Sequence, residues 1–328
     1  MTLRELNRTL LLRQLLLERT RASVPAVVKR LVALQAQYAP SPYVALWARV
    51  DGFRKEQLTR SKAIVKAACF RSTLHVVARS ELPYIVSSYI ESGRGRTERL
   101  GVDIEALRAA VPDEPLSASE LNDLARRVLG TDDVWTVSFA LRALPFVRSD
   151  PIGPWPHTKP PPTVLWREPL PDADASAARV VRQYLGAYGP ASRDDIVQFT
   201  GFKLRQIDPA LDGLRSFEAE DGTTLLDVRG APLADAGLTP PVRFLPAFDS
   251  IILAHRDRSR IVPPEYLETV FNRKNATTKN TFTVDGFVAG AWRIGGGKIS
   301  LEPFAPLPAK IRREVDAEAA RLLAWYVS

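Results

Sequence analysis

Val180-Val-Arg-Gln-Tyr-Leu-Gly-Ala-Tyr-Gly-Pro-Ala-Ser-Arg-Asp-Asp-Ile196 decides how the rest of the chain divides. Val180, Val181, Tyr184, Leu185 and Tyr188 recur at helical spacing, and Gly189-Pro190 stops that helix. Ser192 then caps a second helix. Its first turn holds Asp194 and Asp195, where negative charge suits the helix dipole, and Ile196 and Phe199 form its buried side until Gly201. A third helix follows through Leu204, Ile207, Leu211 and Leu214. The run from Phe217 to Val228 predicts two strands about an Asp221-Gly222 turn. Three helices and then a hairpin is the order of a winged helix-turn-helix.

Working outward, the same order begins the chain. Leu3, Leu6, Leu10 and Leu17 mark a first helix, with Arg4, Arg8, Arg13 and Arg19 mostly off its apolar face. Ser23 caps a second, expected to run to Gln35. A Tyr43–Arg49 piece follows, then a basic helical stretch with Arg54, Lys55, Arg60, Lys62 and Lys66. The segment Ala67–Val77 predicts two short strands turning near Arg71-Ser72. A weaker copy lies between these two. Ser117 with Glu120 forms a capping box opening a helix through Leu121, Leu124 and Val128, and Val137, Leu141 and Leu144 continue a second helix, after which Pro145–Arg148 could begin a wing.

Two connectors punctuate the chain: the proline-rich stretch from Asp150 to Pro162, and Ala236 to Pro241. Strands are expected at Val242–Leu245, Ser250–Ala254, Thr281–Val284, Phe287–Trp292 and Ile299–Leu301, closed by a helix from Ala309 to Tyr326. The expected fold class is therefore α+β: three tandem winged helix-turn-helix units, 1–92, 93–162 and 163–236, with a C-terminal β-barrel-like portion, 237–328.

Composition bounds the function. The chain has 328 residues, 45% hydrophobic and 25% charged, as in an ordinary globular protein. No apolar run reaches the length of a membrane span, the opening does not resemble a signal peptide, and the expectation is a cytoplasmic, nucleoid-associated monomer. One cysteine, Cys69, rules out a disulfide framework. His75, His157 and His255 are far apart, so neither a metal nor another cofactor is expected. The net charge of +8 suits a polyanion, with arginine supplying 35 of the 45 basic residues. A coding bias toward arginine accounts for that excess equally well.

Leu31-Val-Ala-Leu-Gln-Ala-Gln-Tyr-Ala-Pro-Ser-Pro-Tyr43 contains the first candidate site. On a helix, Gln35 and Gln37 would diverge by about 200°; in an extended exit their side chains point the same way. Either two carboxamides converge on one small volume, or two glutamines simply cap turns. Phe70-Arg-Ser-Thr-Leu-His75 gathers Arg71, Ser72, Thr73 and His75, all of them phosphate donors, on a hairpin that reads equally well as a solvated wing. In Phe248-Asp-Ser-Ile-Ile-Leu-Ala-His-Arg-Asp-Arg-Ser-Arg260, an extended run after His255 would place Arg256, Arg258 and Arg260 on one face to track a phosphate backbone. Asp249 and Asp257 could instead hold them in salt bridges. Gly295-Gly-Gly-Lys298 lacks the spacing of a phosphate loop and sits between strands, so it reads as a hairpin turn.

Taken together, Leu6–Gln14, Leu34-Gln-Ala-Gln37, Arg71-Ser-Thr-Leu-His75, Ala187-Tyr-Gly-Pro-Ala191, Phe248-Asp with His255-Arg-Asp-Arg258, and Val284–Gly290 resemble the AlkZ/YcaQ family of winged-helix DNA glycosylases over nearly the whole chain. The resemblance implies a concave cradle for double-stranded DNA and removal of N7-alkylated guanine, including bulky adducts and interstrand crosslinks. It also implies an active site at Gln35 and Gln37, which match the Gln-x-Gln form rather than Gln-x-Asp. Two other classes fit a winged-helix chain, a transcription regulator and a non-catalytic repair accessory. Base release from alkylated DNA separates them.

Overall fold

Thr2 starts the first helix by accepting a hydrogen bond from the Glu5 N–H while the Glu5 carboxylate accepts one from the Thr2 N–H, a capping box that opens Leu3–Arg13. From there the computed structural model, which describes residues 1–148, Trp155, 161–272 and 274–328, has a mixed α/β architecture. One large hydrophobic core runs from Leu10 to Leu322, and a smaller one joins Leu107, Leu121, Val137 and Leu144.

The middle of the sequence folds as its spacing predicts. Helix Ala173–Tyr188 ends at a cis Gly189-Pro190 bond, Ser192 and Asp195 form the capping box of Arg193–Thr200, and Gly201 takes a left-handed conformation at φ +71. Leu204–Ile207 and a 3-10 turn lead into strands Arg215–Glu218 and Thr224–Asp227, paired antiparallel. Helices Ala118–Leu129 and Val134–Arg142 also lie where expected.

Near the N-terminus several expectations change. Helix Val24–Arg30 stops short of Gln35, and Leu34–Gln35 is instead an edge strand. It pairs antiparallel with Leu74–Ala78, which pairs with Ile64–Ala68; Phe146–Arg148 and Thr163–Leu165 complete a five-stranded sheet. The expected basic helix around Arg54–Lys66 reduces to one turn, Glu56–Thr59, because Ile64, Val65 and Ala67 are taken into this sheet. Of the first helix's arginines, Arg4 is exposed but Arg8 and Arg13 are buried. Arg13 makes two 2.8 Å contacts to Asp227 and both side chains are buried. Helix Leu82–Arg99 and helix Ile104–Ala110 have no counterpart in the sequence reading.

At the C-terminal end, Arg243–Leu245, Thr281–Val284, Phe287–Gly295 and Lys298–Pro303 form an open four-stranded antiparallel sheet, with helix Ala309–Val327 after it. Gly295-Gly-Gly-Lys298 is its hairpin turn. No closed barrel exists among the described residues, which corrects the barrel-like expectation. One cause is that Ser250–Leu253, expected as a strand, is a helical turn capped by the Asp249 carboxylate. The proline-rich connector lies outside the described residues except for Trp155 and the two prolines at its end, and so does His157. Trp155 packs edge-on against Tyr43 at 4.8 Å.

Candidate active site

The glutamine segment is shaped by a reversal of the backbone. After the helix ends at Leu31, Val32 sits at φ +67, a region that a β-branched residue enters only at a cost of about 1–3 kcal/mol. Hydrogen bonds from distant elements hold the reversal in place. Tyr188 Oη donates to the Leu31 carbonyl at 2.9 Å and Ser250 Oγ to the Ala33 carbonyl at 3.0 Å. The Ala36 N–H donates to the Leu74 carbonyl at 2.8 Å. Beyond the segment, Ser41 Oγ donates to Ala247 O, and helix Ser41–Arg49 ends at a buried pair, Arg49 with Asp249 at 2.8 and 2.9 Å.

The extended exit turns both carboxamides to one side. Gln35 Nε2 donates to Gln37 Oε1, with Gln35 buried and Gln37 exposed. Neither side chain has another hydrogen bond among the described residues, so the hydrogen-bonding capacity of Gln35 Oε1 and the Gln37 amide nitrogen is unspent. Across the sheet Gln35 pairs with His75. Burial pushes the His75 imidazole down to about 4, so its ring is neutral, and Nδ1–H donates to Thr73 O at 2.9 Å. Lys66 pairs with Val76, the partner of Leu34, so its side chain points to the sheet face opposite Gln35 and His75.

The other predicted site residues fall into two groups. Arg71 and Ser72 form the hairpin tip at φ +52 and +62; Arg71 Nη1 donates to Gln198 O at 2.8 Å, and Ser72 Oγ meets Tyr89 Oη at 2.9 Å. Thr73 Oγ1 donates back to Phe70 O at 3.0 Å. Arg258 approaches this tip closely enough that its charge, after burial, lowers the Arg71 pKa, and its guanidinium lies 3.9 Å from the Phe271 ring centroid. The run from Phe248 to Arg260 is not extended and does not share one face. His255 is buried, its Nε2 3.0 Å from Tyr188 O, and burial with the nearby Arg260 charge lowers its pKa to about 4. Arg260 is buried too and donates to Pro190 O. Arg256 is exposed but pairs with Asp194, while its N–H caps Asp195. The alternative reading of that run, arginines held in salt bridges, describes Arg256, although its partner lies in another element.

Sequence spacing missed Tyr188, Ser250 and Asp249 as supports of the glutamine segment. A carbonyl that accepts from a residue more than a hundred positions away leaves no local pattern. Among the described residues, no group of three or more His, Cys, Asp or Glu could hold a metal ion, and no helix is long and apolar enough to cross a membrane.

A family model described as "DNA glycosylase AlkZ-like" matches residues 28–325. An "Interstrand DNA cross-link repair glycosylase" from Streptomyces sahachiroi is 26% identical over 162 residues, which cover 47% of this chain and 43% of that protein. The match therefore spans less than half the length of that relative. A solved structure titled "Streptomyces sahachiroi DNA glycosylase AlkZ" superposes with a TM-score of 0.79 over 99% of this chain and 97% of that one, at 22% identity. At that identity it is a likeness of fold.

Proposed function

The chain belongs to the AlkZ-like DNA glycosylase family, and from that premise we propose a monofunctional glycosylase that hydrolyses the N-glycosidic bond of N7-alkylguanine in double-stranded DNA. The observation that carries this is the pair of carboxamides at the end of a short, externally braced strand that follows the strained Val32, bonded to each other and flanked by a neutral imidazole. An N7-alkylguanine is already cationic. It leaves as a neutral base when the N9–C1′ bond breaks, so no strong general acid is needed. What remains is to place a water on C1′ and to tolerate oxocarbenium-like charge, which fixed carbonyl dipoles do without a net charge. Gln35 Oε1 is free to accept from that water, and Gln37 holds Gln35 in place and contacts the water or sugar. The water oxygen bonds to C1′ and its proton passes to solvent.

A lyase step needs an amine nucleophile, and Lys66, the lysine of the adjoining strands, faces away. The relative named for crosslink repair supports extending the substrate class to interstrand crosslinks. Arg71, Ser72, Thr73, Arg256 and Arg258 are the proposed DNA contacts on the surface; His75, His255 and Arg260 act from inside as supports. The element order 1–92, 93–162 and 163–236 is proposed to form three winged-helix units around the DNA, followed by the four-stranded C-terminal portion.

The test is to incubate the protein with duplex carrying one defined N7-alkylguanine and to measure abasic sites and released base. Release without strand cleavage is expected. Tight binding with no release would leave a regulator or accessory protein instead.

A further inference from the structure

Away from the glutamines, the hairpin tip, helix Leu82–Arg99, helix Val134–Arg142 and the Thr200–Lys203 corner enclose a cleft of about 330 Å³. Its wall carries Arg71, Arg96, Arg99, Arg142 and Lys203 and no Asp or Glu among the described residues. The nearby carboxylate on the same helix, Glu91, is already engaged by Arg94 and Arg205, each at 2.8 Å. Arg96 and Arg142 flank one ring, Phe139, with guanidinium carbons 4.6 and 5.6 Å from its centroid. Two like charges are thus held against one aromatic with no counter-ion among the described residues. Such a concentration of positive charge is unfavourable in itself and is relieved by an anion.

The backbone leaves room for that anion. A Cβ on Gly95 would lie 3.8 Å from Arg99 Nη1 and 3.9 Å from Lys203 Nζ, so both cations converge on this bare stretch of helix. A Cβ on Gly93 would meet nothing within 4 Å. Each glycine inside a helix costs roughly 1 kcal/mol, and neither is required here by packing within the chain, whereas close approach of a ligand backbone would use both. An exposed aromatic adjoins the wall through Phe139. Trp135 is 69% exposed, and its ring stacks on Phe139 at 6.2 Å.

We propose that this cleft binds two neighbouring backbone phosphates of one DNA strand, with Trp135 against the adjoining sugar or base, and thereby sets the register of the lesion over Gln35 and Gln37. The proposal rests on the reading of the chain as a DNA glycosylase. Ser72 sits at the hairpin tip, two residues before strand Leu74–Ala78 and three before His75, the partner of Gln35. Even fully extended chain rises only about 3.4 Å per residue, so the separation is at most roughly 10 Å, and at about 3.4 Å of helix axis per phosphate that is no more than about three nucleotide steps.

Arg96 and Arg99 are exposed, so replacing them leaves the core intact. The test measures binding of undamaged duplex by fluorescence anisotropy between about 50 and 300 mM salt, which does not depend on base release. The Arg96→Ala/Arg99→Ala variant should lose about two units of slope in log K against log salt and bind roughly tenfold more weakly at the upper end. Arg312→Ala, on the C-terminal helix, should match the wild type. With wild-type protein and a duplex whose single N7-alkylguanine sits on a 2′-fluorinated sugar, which resists hydrolysis and fixes the register, methylphosphonate linkages moved stepwise along each strand should weaken binding at two adjacent positions of one strand, and that dependence should vanish in the double variant. An unchanged slope, or a methylphosphonate effect spread evenly over both strands, overturns the proposal. So does competition by inorganic phosphate at low concentration and constant ionic strength, which would mark a free-phosphate site. A protein that passes these tests yet releases no base would sink the glycosylase reading alone.

Discussion

Leu31–Gln37 and Phe248–Arg260 have similar sequence character, an apolar run leading into polar side chains, and they meet in space through Ser250 and Ala33. Their polar groups are spent differently. In the second segment Asp249 is bound to Arg49, Arg256 to Asp194, and Arg260 and His255 to backbone carbonyls. In the first, the backbone is braced from outside while, among the described residues, the two carboxamides bind only each other. A polar residue is available for chemistry when its hydrogen-bonding capacity is unspent, and type and spacing alone do not reveal that. The segment that looked more like a DNA contact is largely a brace.

This contrast can be broken in several places. The largest effect is expected at Asp249. Asp249→Ala leaves the fully buried Arg49 guanidinium without its partner and should lower unfolding free energy by about 3–5 kcal/mol in urea titrations. A loss below about 1 kcal/mol would mean that the second segment is not a brace.

Tyr188→Phe is the next step down. It removes one donor to the Leu31 carbonyl, and stability should fall by about 1 kcal/mol. Base excision should slow by roughly tenfold, since a positioning loss of about 1 Å or less is enough for that. Equal stability and excision losses in Tyr188→Phe and in a remote core variant would remove the special role of the brace.

The smallest expected effect is that of pH on excision. Amides do not titrate, and burial keeps His75 at about 4, so single-turnover rates should be flat from near neutral pH to mild alkali. Stability behaves differently. The folded pKa lies below the ordinary imidazole value of about 6.5. The unfolded chain therefore binds the extra proton first as pH falls, and the contribution of neutral His75 is whole above about 6.5 and lost toward 4. It amounts to about 3 kcal/mol at most. A bell-shaped excision profile around neutrality would show that a titrating group takes part.

Local signals explain what was legible in the sequence. The helix ending at Gly189-Pro190, the Ser192 cap, the Ser117 capping box, the Asp221-Gly222 hairpin and the Gly295–Lys298 turn each depend on residues within a few positions, and all are in the structure. Long-range pairing was not legible. Lys66 looked like a surface helix residue because its neighbours are basic, yet Ile64 and Val65 bring it into a sheet. Helix Leu82–Arg99 went unread because Ser92-Gly-Arg-Gly-Arg lacks an apolar stripe; its outer face lines the cationic cleft instead. The convergence of Gln35 and Gln37 followed from the period of extended chain, although the helix before them ends earlier than expected.

The most direct measurement is single-turnover excision of an N7-alkylguanine by Gln37→Ala, with DNA affinity and thermal unfolding recorded on the same preparation. A loss of at least about 100-fold in rate is expected, with affinity within a few-fold and unfolding unchanged, because phosphate contacts elsewhere supply the binding. Gln35→Ala should lose a comparable amount, given that its carbonyl is the free acceptor. Gln37→Ala excising at the wild-type rate, or losing rate only in proportion to folding or binding, would contradict the account and leave the pair as two polar residues at the end of an edge strand.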